Sequence, residues 1–382
     1  MNCPVCNGLN IEKFLFIESI PTTQNLLYKT LSEAIAAPVA DMDLRHCKNC
    51  SFIYNYIFSD TDVVYSGDYD NNQTYSEVFR SYINTQIDWL IKNHIKKNDT
   101  IVEIGCGKGY YIKQLLEKAT HKGLKGGYGF DTSYVGHEYF ESINLRYFKN
   151  YYNEEYKYIE PTIIICRHVI EHIMDPFDFL LPIGQSLNEN GLLFLEMPNV
   201  NWILENNIIY DFFYEHCSYY NPYSISKLLN RAGFEIVEIK NEFQGQYMWV
   251  VAKKTDMISY KNGPVFKNKG GQHLGKMGLF EKTIKDKINK KWYEFKKTAL
   301  WGAGAKGTNF VNLFDKKREF IKCLIDINVA KQNKYVSGTG HIVISPEDIY
   351  KYDINNVFVM NANYYREVKE ALNDKSIDVE TL

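Results

Sequence analysis

Residues 100–109 read TIVEIGCGKG, and this stretch decides the fold of the middle of the chain. The apolar run Thr100–Ile104 predicts a buried strand, the glycines that follow predict a turn, and the residues through Leu116 are helix-like. Glycines at a strand-to-helix turn let backbone N–H groups approach a ligand, and the start of a helix favours negative charge. The stretch therefore predicts a ligand-binding turn in an α/β domain.

Two acidic residues narrow the type of ligand. Glu103 stands two residues before the first glycine, and Asp131 ends the next predicted strand, at residues 127–131. An acid at the end of the second strand can accept hydrogen bonds from both hydroxyls of a ribose. The acids and the glycines together predict a site for a nucleoside.

The elements around the turn follow a defined order. Residues 76–97 carry apolar side chains at three- and four-residue intervals, which predicts an amphipathic helix before the first strand. Further strands are predicted at 162–166, 191–198, 233–240 and 247–252, with helices opening at Asp175-Pro176 and at Asn221.

The E-x-G-x-G-x-G turn and this order resemble the class I S-adenosylmethionine-dependent methyltransferases. The competing interpretation, a dinucleotide-binding oxidoreductase, normally shows G-x-G-x-x-G instead of three glycines at alternate positions. The resemblance implies a seven-stranded sheet and S-adenosylmethionine as the cofactor. The residues that we expect at this cofactor are Glu103, Gly105, Gly107, Gly109, Asp131, Arg167 and His168.

Length and charge limit the remaining possibilities. At roughly 150 residues per domain, 382 residues predict two or three domains. The formal net charge of −2 offers no broad basic face for nucleic acid or an anionic membrane, although a local basic pocket stays possible. The amino terminus lacks the features of a leader, and the apolar runs are far shorter than the ~18 residues that a bilayer needs. We therefore expect a cytoplasmic protein with neither nucleic acid nor membrane as partner.

Four of the eight cysteines form two Cys-x-x-Cys pairs in the first fifty residues. Each pair can hold one edge of a tetrahedral ion, and four thiolates satisfy Zn²⁺ in a closed structural site. Two disulfides or inert thiols are the alternatives, which a reducing cytoplasm and the paired spacing disfavour. Because so small a module has little core of its own, bound metal would supply much of its folding free energy. The expected ligands of this structural zinc ribbon are Cys3, Cys6, Cys47 and Cys50.

Two segments rich in histidine and glutamate follow predicted strands. They read CRHVIEH at 166–172 and DFFYEHCSYY at 211–220. Both fall at the carboxyl edge of the predicted sheet, where ligands bind. H-x-x-E-H is also the ligand order of inverted zinc peptidases, but no third ligand is evident from the spacing, and a satisfied polar turn is the structural alternative. An imidazole is the natural base for removing a proton from a carbon beside a ketone or from a hydroxyl.

Taken in order, the motifs resemble the sugar C-methyltransferases that act on nucleotide-linked 4-keto deoxysugars. The resemblance covers nearly the whole chain and implies a nucleotide-linked sugar as substrate. It implies His216 as the base that abstracts the C3 proton, His172 near the reacting carbonyl and Glu215 as the acidic neighbour. The family commonly reads Tyr-x-Glu-His, whereas this chain has Phe213 before Tyr214, so the tyrosine has moved one place or is lost. O-methylation of a sugar hydroxyl is therefore the alternative outcome.

A second glycine turn lies in the last third of the chain. Residues 298–307 read TALWGAGAKG, and Asp326 ends a second predicted strand. By itself this pattern predicts dinucleotide binding, but backbone N–H groups, the helix start and Lys306 can equally hold a pyrophosphate. In the family a similar turn is thought to help hold the nucleotide sugar. Three interpretations stay open: contact with a nucleotide sugar, a purely structural fold, and an NAD site in a sugar oxidoreductase.

The sequence thus predicts three domains: a zinc-binding module at 1–65, a methyltransferase domain at 66–256 and a Rossmann-like α/β domain at 257–382. The last opens with a connection at 257–276 and a helix at 280–297. Tyr69 and Tyr75, in a tyrosine-rich stretch, join Lys306 as candidates for substrate contact. A catalytically silent protein that binds nucleotide sugars is a further alternative, and the chain could be a monomer or a dimer.

Overall fold

The structure is a computed structural model that describes residues 2–63, 69, 71–255, 297–373 and 376–381. The predicted connection at 257–276 lies outside the described residues, as does the predicted helix at 280–297 except its last residue. The described residues form three larger sheets, of four, eight and five strands, and a two-stranded ladder. No helix in these ranges is long and apolar enough to cross a membrane.

The strands have between two and eleven residues and are distributed from the amino-terminal module to the last described residues. They are β1 (Ile11–Pro21), β2 (Leu27–Tyr28), β3 (Val39–Cys47), β4 (Ile53–Asn55), β5 (Thr100–Ile104), β6 (Gly126–Phe130), β7 (Tyr139–Phe140), β8 (Leu145–Phe148), β9 (Ile163–Arg167), β10 (Leu192–Pro198), β11 (Ser218–Tyr219), β12 (Phe234–Glu242), β13 (Tyr247–Lys254), β14 (Thr298–Trp301), β15 (Ile321–Ile325), β16 (Tyr335–Val336), β17 (Val343–Ile344), β18 (Asn356–Val359) and β19 (Asp378–Thr381).

The α-helices of the described residues connect these strands. They are α1 (Leu31–Ile35), α2 (Glu77–Asn93), α3 (Tyr110–Lys118), α4 (Pro176–Ser186), α5 (Val200–Glu205), α6 (Pro222–Arg231), α7 (Ala305–Phe314) and α8 (Tyr365–Ala371).

The central sheet has the order β12-β13-β10-β9-β5-β6-β8-β7. Its middle strands are parallel, as expected for buried apolar runs such as Thr100–Ile104, of which every residue is buried. Six of its strands are located by the sequence, β8 is the seventh that the resemblance implies, and the two-residue β7 extends one edge. The α/β fold class is therefore confirmed.

Side chains alternate between the two faces of each strand, so both faces of the central sheet are apolar. Helices cover both faces. Ile101 packs in a cluster with residues of α2 and α3, whereas Val102 packs in a cluster with residues of α4 and α6. The N-cap Ser76 accepts a hydrogen bond from the backbone N–H of Phe79, which starts α2 at its predicted place. The core therefore lies on the two sides of β5, directly behind the glycine turn.

The amino-terminal sheet is antiparallel and has the order β1-β3-β4-β11. Its fourth strand comes from the middle of the chain and follows the segment DFFYEHC directly. In this strand Ser218 pairs with Tyr54 and Tyr219 pairs with Ile53. The second histidine segment is therefore tied to the amino-terminal module.

The carboxyl-terminal sheet has five parallel strands in the order β17-β15-β14-β18-β19. Helix α7 follows its glycine turn, and α8 follows β18. A further ladder joins this part to the amino-terminal module, since Tyr335 of β16 pairs with Tyr28 of β2. The three parts of the chain thus form interlocking layers.

Candidate functional site

A cavity of about 1150 Å³ lies between the central and the carboxyl-terminal sheets. Residues that follow β5, β6 and β9 line one side, and residues that follow β14, β15 and β18 line the other. The second histidine segment contributes Asp211, Phe213 and His216 to the wall between them. Both glycine turns and both histidine segments therefore face one space.

The first glycine turn needs glycine for two different reasons. Gly105 has a φ of +71°, and a side chain there would collide with Val169. Gly107 has a φ of +55°, and a Cβ there would meet no atom within 4 Å. Gly109 ends the turn as the N-cap of α3, and its carbonyl accepts a hydrogen bond from the Tyr147 hydroxyl at 2.6 Å. The turn thus leaves open space beside the backbone at Gly107, on the cavity side.

The two predicted acids accept hydrogen bonds from backbone N–H groups in this turn and in the helix that follows it. Glu103 is buried, and its Oε2 accepts the backbone N–H of Ile112 at 3.1 Å. Burial raises the pKa of Glu103 to about 7, although Arg167 and the Ile112 amide oppose the shift. Asp131 Oδ2 accepts the Gly107 N–H at 2.8 Å, and its Oδ1 accepts the N–H of Ser133 at 2.7 Å. Both acids line the cavity, as predicted from their place in the sequence.

A buried charge network lies behind the turn that follows β9. Glu196, in β10, is fully buried and contacts Arg167 Nη2 at 3.0 Å and His168 Nε2 at 2.7 Å. Although burial opposes it, Arg167 and His168 hold the pKa of Glu196 well below its usual range. Burial disfavours the charged form of His168, but hydrogen bonds to Glu171 and Glu196 raise its pKa to about 9. Arg167 and His168 therefore line the cavity with their charges already paired.

Two histidines from different segments meet in the cavity wall. The rings of His172 and His216 lie 4.7 Å apart, nearly perpendicular. The Nδ1 of His172 donates to the backbone carbonyl of Glu215 at 2.9 Å, which fixes the ring and places a proton on that nitrogen. One ligand-type atom from each of Glu171, His172 and His216 lies within 4.8 Å of the others. The structure thus brings together the two histidines that the sequence singled out.

Burial controls the ionisation of His216. Desolvation lowers the pKa of His216 well below its usual value, and the electrostatic influence of His172, His168 and Lys306 acts in the same direction. A neutral imidazole can accept a proton, whereas an imidazolium cannot. The ring is therefore in the protonation state that a base requires at neutral pH.

Glu215 is held from the amino-terminal side of the cavity. Its carboxylate accepts hydrogen bonds from the Tyr69 hydroxyl at 2.7 Å and from the backbone N–H groups of Gln24 and Asn25. Burial raises the pKa of Glu215, while His172 and these donors oppose the shift. The side chain of Glu215 therefore braces the segment next to His216.

The tyrosine that follows Phe213 points to other partners. The hydroxyl of Tyr214 donates to Asp62 Oδ2 at 2.7 Å and accepts the backbone N–H of Ser59 at 3.2 Å. Phe213 lies beside His216, and the centroids of their rings are 4.1 Å apart. The structure therefore places an apolar ring, and not the tyrosine hydroxyl, against His216.

The three candidates for substrate contact have different surroundings. Tyr69 is buried against Glu215, whereas Tyr75 is half exposed at the cavity. Lys306 lines the cavity, and its Nζ lies 3.0 Å from Asp211 Oδ2. Asp326 is likewise engaged, since it accepts the backbone N–H of Ala303 at 2.9 Å. In each glycine turn, the acid that ends the next strand accepts a backbone N–H of the turn: Asp326 in the second turn and Asp131 in the first.

The four predicted zinc ligands form one cluster in the amino-terminal module. The Sγ atoms of Cys3 and Cys50 lie 3.6 Å apart, and those of Cys6 and Cys47 lie 3.7 Å apart. All four lie within 4.8 Å of one another. These distances are too long for disulfides but fit a tetrahedron of thiolates around Zn²⁺, since a Zn–S bond of about 2.3 Å separates its sulfurs by roughly 3.8 Å. The cluster can therefore hold a zinc ion.

Some residues of the site escaped the sequence analysis. Glu196 lies inside a predicted strand without any motif, and its partners Tyr82 and Gln86 lie on the predicted amphipathic helix α2. A polar residue on the apolar face of that helix, Gln86, is the one available signal. Asn309 and Gln24 contact the second histidine segment from distant parts of the chain, and no local pattern marks them.

Comparison with known families now adds to this geometry. Residues 77–239 match the family model described as a methyltransferase domain. The chain contains a class I S-adenosylmethionine-dependent methyltransferase domain. Residues 294–381 match a second model, described as C2185-like, N-terminal. The expected fold of the middle of the chain and its expected cofactor thus agree with the family of this domain.

The curated relatives of the methyltransferase domain have different names. The tRNA U34 carboxymethyltransferase of Campylobacter jejuni subsp. jejuni is 29% identical over 194 residues, which cover 46% of this chain and 62% of the relative. The C-methyltransferase NovU of Streptomyces niveus is 22% identical over 220 residues, which cover 54% of this chain and 52% of NovU. This chain therefore spans less than two thirds of the length of each relative.

Solved structures with similarity to this chain include two methyltransferases. The S-adenosylmethionine-dependent methyltransferase of Aquifex aeolicus has a TM-score of 0.32 at 14% identity and covers 45% of this chain and 97% of its own. That of Mesorhizobium loti has a TM-score of 0.31 at 10% identity and covers 45% of this chain and all of its own.

The residues of the methyltransferase domain fit S-adenosylmethionine. The open space at Gly107 leaves room for a ligand beside the backbone. Asp131 Oδ2 has two lone pairs and accepts one hydrogen bond, from Gly107, among the described residues, so it can accept a second from a ribose hydroxyl. Glu103 adds a second carboxyl group to the same wall. These residues would hold the cofactor.

Replacing Asp131 with alanine should weaken binding of S-adenosylmethionine roughly 10–100-fold, because a hydrogen bond to a charged group contributes about 1.5–3 kcal/mol. Isothermal titration calorimetry measures the change directly. Asp88→Ala is the matched control, since this acid is exposed and pairs with Lys118 away from the cavity. Equal affinity in Asp131→Ala and wild type would remove Asp131 from the cofactor site.

Proposed function

We propose that the protein transfers the methyl group of S-adenosylmethionine to a nucleotide-linked deoxysugar, at the carbon next to a 4-keto group, with His216 as base. One observation carries the proposal: the half-buried imidazole of His216, whose pKa is lowered well below its usual value, and a second histidine share a cavity with the glycine turn of the methyltransferase domain. The relative NovU, by its name a C-methyltransferase, is consistent with transfer to carbon.

The division into domains is part of the same proposal. We place the zinc-binding module at residues 1–65, the methyltransferase domain at 66–256 and the Rossmann-like domain at 257–382. The sugar would lie in the cavity between the last two, with Tyr69, Tyr75 and Lys306 as the acceptor-side candidates.

Proton transfer is the step that the residues of this chain perform. His216 removes the proton from C3 of the acceptor, and the electron pair of that C–H bond moves toward the carbonyl, giving an enolate. His172 is held next to His216 by its hydrogen bond to the Glu215 carbonyl, and we place it near the reacting carbonyl of the acceptor, where a second proton, on its Nε2, would let it donate to the enolate oxygen. When bound, S-adenosylmethionine supplies a methyl group on a positively charged sulfur, the electrophile that the enolate carbon attacks.

The protein then contributes position and exclusion of water. The aromatic ring of Phe213 packs against the ring of His216 and shields one side of it from water, and desolvation keeps the imidazole uncharged until the acceptor binds. Holding the acceptor and the methyl donor in line inside one cavity converts a bimolecular reaction into an effectively unimolecular one.

A second product is favoured by one observation. Phe213 brings no hydroxyl to the base, and the hydroxyl of Tyr214 is bonded to Asp62. If the tyrosine hydroxyl is needed for the carbon reaction, the same base beside the same donor would deprotonate a sugar hydroxyl, and O-methylation would result.

The test uses a carbon-13 methyl donor in deuterated water with a panel of nucleotide-linked 4-keto deoxysugars, their hydroxyl counterparts and bulk tRNA. Label on carbon, with solvent deuterium at C3 of the recovered unmethylated substrate, supports the proposal. Label on oxygen keeps His216 as base but changes the product. Label in tRNA alone would contradict the sugar proposal and agree with the names of the Campylobacter relatives.

A further inference from the structure

Helix α7 of the carboxyl-terminal sheet packs against the segment that carries the proposed base, residues 210–216, called here the base segment. The side-chain amide Nδ2 of Asn309 donates to the backbone carbonyls of Tyr210 at 2.9 Å and Phe212 at 2.8 Å. Asn309 is fully buried, so water does not compete for these carbonyls. One side chain of α7 thus fixes two of the peptide groups that lead to His216.

Two neighbours of Asn309 on α7 hold the same segment. Lys306 Nζ lies 3.0 Å from Asp211 Oδ2, and the Phe310 ring lies 5.4 Å from the Tyr210 ring. Residues three and four apart share one face of a helix. Lys306, Asn309 and Phe310 therefore form one face of α7, and this face contacts residues 210–212, the first part of the base segment.

The same helix also reaches the far end of the base segment. Thr308 Oγ1 donates to the backbone carbonyl of Gln24 at 3.2 Å. The backbone N–H of Gln24 in turn donates to the carboxylate of Glu215, the residue next to His216. Helix α7 therefore acts on both ends of the base segment, directly at residues 210–212 and through Gln24 at Glu215.

We propose that helix α7 positions the base, and that Asn309 is a positioning residue for His216 in the reaction. The inference rests on the proposed function for the chemistry, but it gives the second glycine turn a different task from ligand binding. The turn starts a helix that shapes the catalytic wall of the neighbouring domain. Because a shift of about 1 Å in a reacting group can cost about 100-fold in rate, two hydrogen bonds at the root of the base segment matter for catalysis.

The chain offers a matched control on the same helix. Asn312 is also buried, and its Nδ2 also donates to two carbonyls, those of Thr308 at 2.8 Å and Ser337 at 2.9 Å. Neither acceptor belongs to the base segment. Asn309→Ala and Asn312→Ala therefore remove the same chemistry, and only the first removes it from residues 210–216.

The first measurement compares kcat and binding of S-adenosylmethionine in the two variants of the full chain. We expect kcat of Asn309→Ala to fall at least tenfold below that of Asn312→Ala, with the Kd for S-adenosylmethionine unchanged in both and similar losses in Tm. Equal kcat values in the two variants would overturn the inference, because a merely structural asparagine would affect both alike.

A second measurement needs no acceptor. Imidazole resonances of His216, assigned by their loss in His216→Gln, are titrated by proton–nitrogen NMR. The groups that act on this ring are Glu171, His172, His168 and Lys306. In Asn309→Ala the pKa of His216 should rise toward its usual value as the segment loosens, and in Asn312→Ala it should match wild type.

The two measurements separate the inference from the proposed function. If the wild type methylates no sugar, the proposed function fails, while the titration still decides whether α7 positions His216. Identical titration of His216 in wild type and both variants would show that Asn309 does not position it.

Discussion

The His216→Ala variant is expected to lose about 10²–10⁴-fold in methyl transfer, the usual contribution of a positioned general base. Its affinity for S-adenosylmethionine should stay that of wild type, because the glycine turn and Asp131 are untouched. The comparison requires kcat from a labelled methyl donor and Kd from calorimetry on the same preparations. A loss confined to kcat would place His216 in the chemical step.

The control for this variant is another histidine of the same domain. His121 is exposed, and its Nδ1 lies 3.1 Å from the Lys118 carbonyl, on the outer surface. His121→Ala should therefore retain full activity. Substantial turnover in His216→Ala, or an equal loss in His121→Ala, would refute the assignment of the base.

The pH dependence gives an independent check on the same residue. Desolvation, with the electrostatic influence of His172, His168 and Lys306, lowers the pKa of His216 well below its usual value. The reaction needs the neutral ring, so kcat should stay constant as the pH falls from 8 to about 6.5 and decline only below the lowered pKa. An unshifted histidine would already be half protonated at about pH 6.5. A rate that falls by half at that pH would contradict a base whose pKa is lowered.

Removal of zinc should strongly reduce both the stability of the amino-terminal module and the rate of methyl transfer. Cys47→Ser, or extraction with a strong chelator, is expected to abolish stoichiometric zinc and unfold the amino-terminal sheet, since structural zinc contributes about 10–16 kcal/mol of apparent binding free energy in small modules. Methyl transfer should fall as well, because β11 pairs with β4 and continues from the segment that holds His216. Metal content by mass spectrometry, thermal unfolding and turnover of a labelled methyl donor measure the three effects.

A lone cysteine supplies the control for the zinc prediction. Cys323 is fully buried in the carboxyl-terminal sheet, away from the cluster. Cys323→Ala should therefore keep one zinc per chain. Wild type that binds no zinc under reducing conditions, or Cys47→Ser that binds it as tightly as wild type, would rule out the four-cysteine site.

Local patterns predicted the elements that carry the glycine turns. Thr100–Ile104 and Thr298–Trp301 are strands with the predicted bounds, because each is a short apolar run that ends at a glycine turn. β8 escaped prediction because the exposed Arg146 interrupts its run and only Leu145 and Tyr147 face the core. Strand patterns of four residues with one exposed charge are common in loops, so only the neighbouring β6 identifies β8 as a strand.

Some residues of the candidate site were also predictable from local sequence patterns, and others were not. Glu103, Asp131, His172 and His216 follow predicted strands, and the carboxyl edge of a parallel sheet brings such residues together. Asn309 and Gln24 reach the site through contacts between distant parts of the chain, which no local spacing encodes. The partners of Tyr214 belong to the same class, since Asp62 and Ser59 lie about 150 residues earlier.

The strand β11 limits how this enzyme can be rebuilt. The base segment enters from a part of the chain that α7 holds and leaves into a strand that the amino-terminal sheet holds. A middle domain expressed alone would keep its donor-binding turn but lose the supports on both sides of His216. Chimeras that exchange acceptor preference between relatives should therefore transfer residues 20–28, 210–219 and 305–314 as one unit, even though these pieces are far apart in the gene.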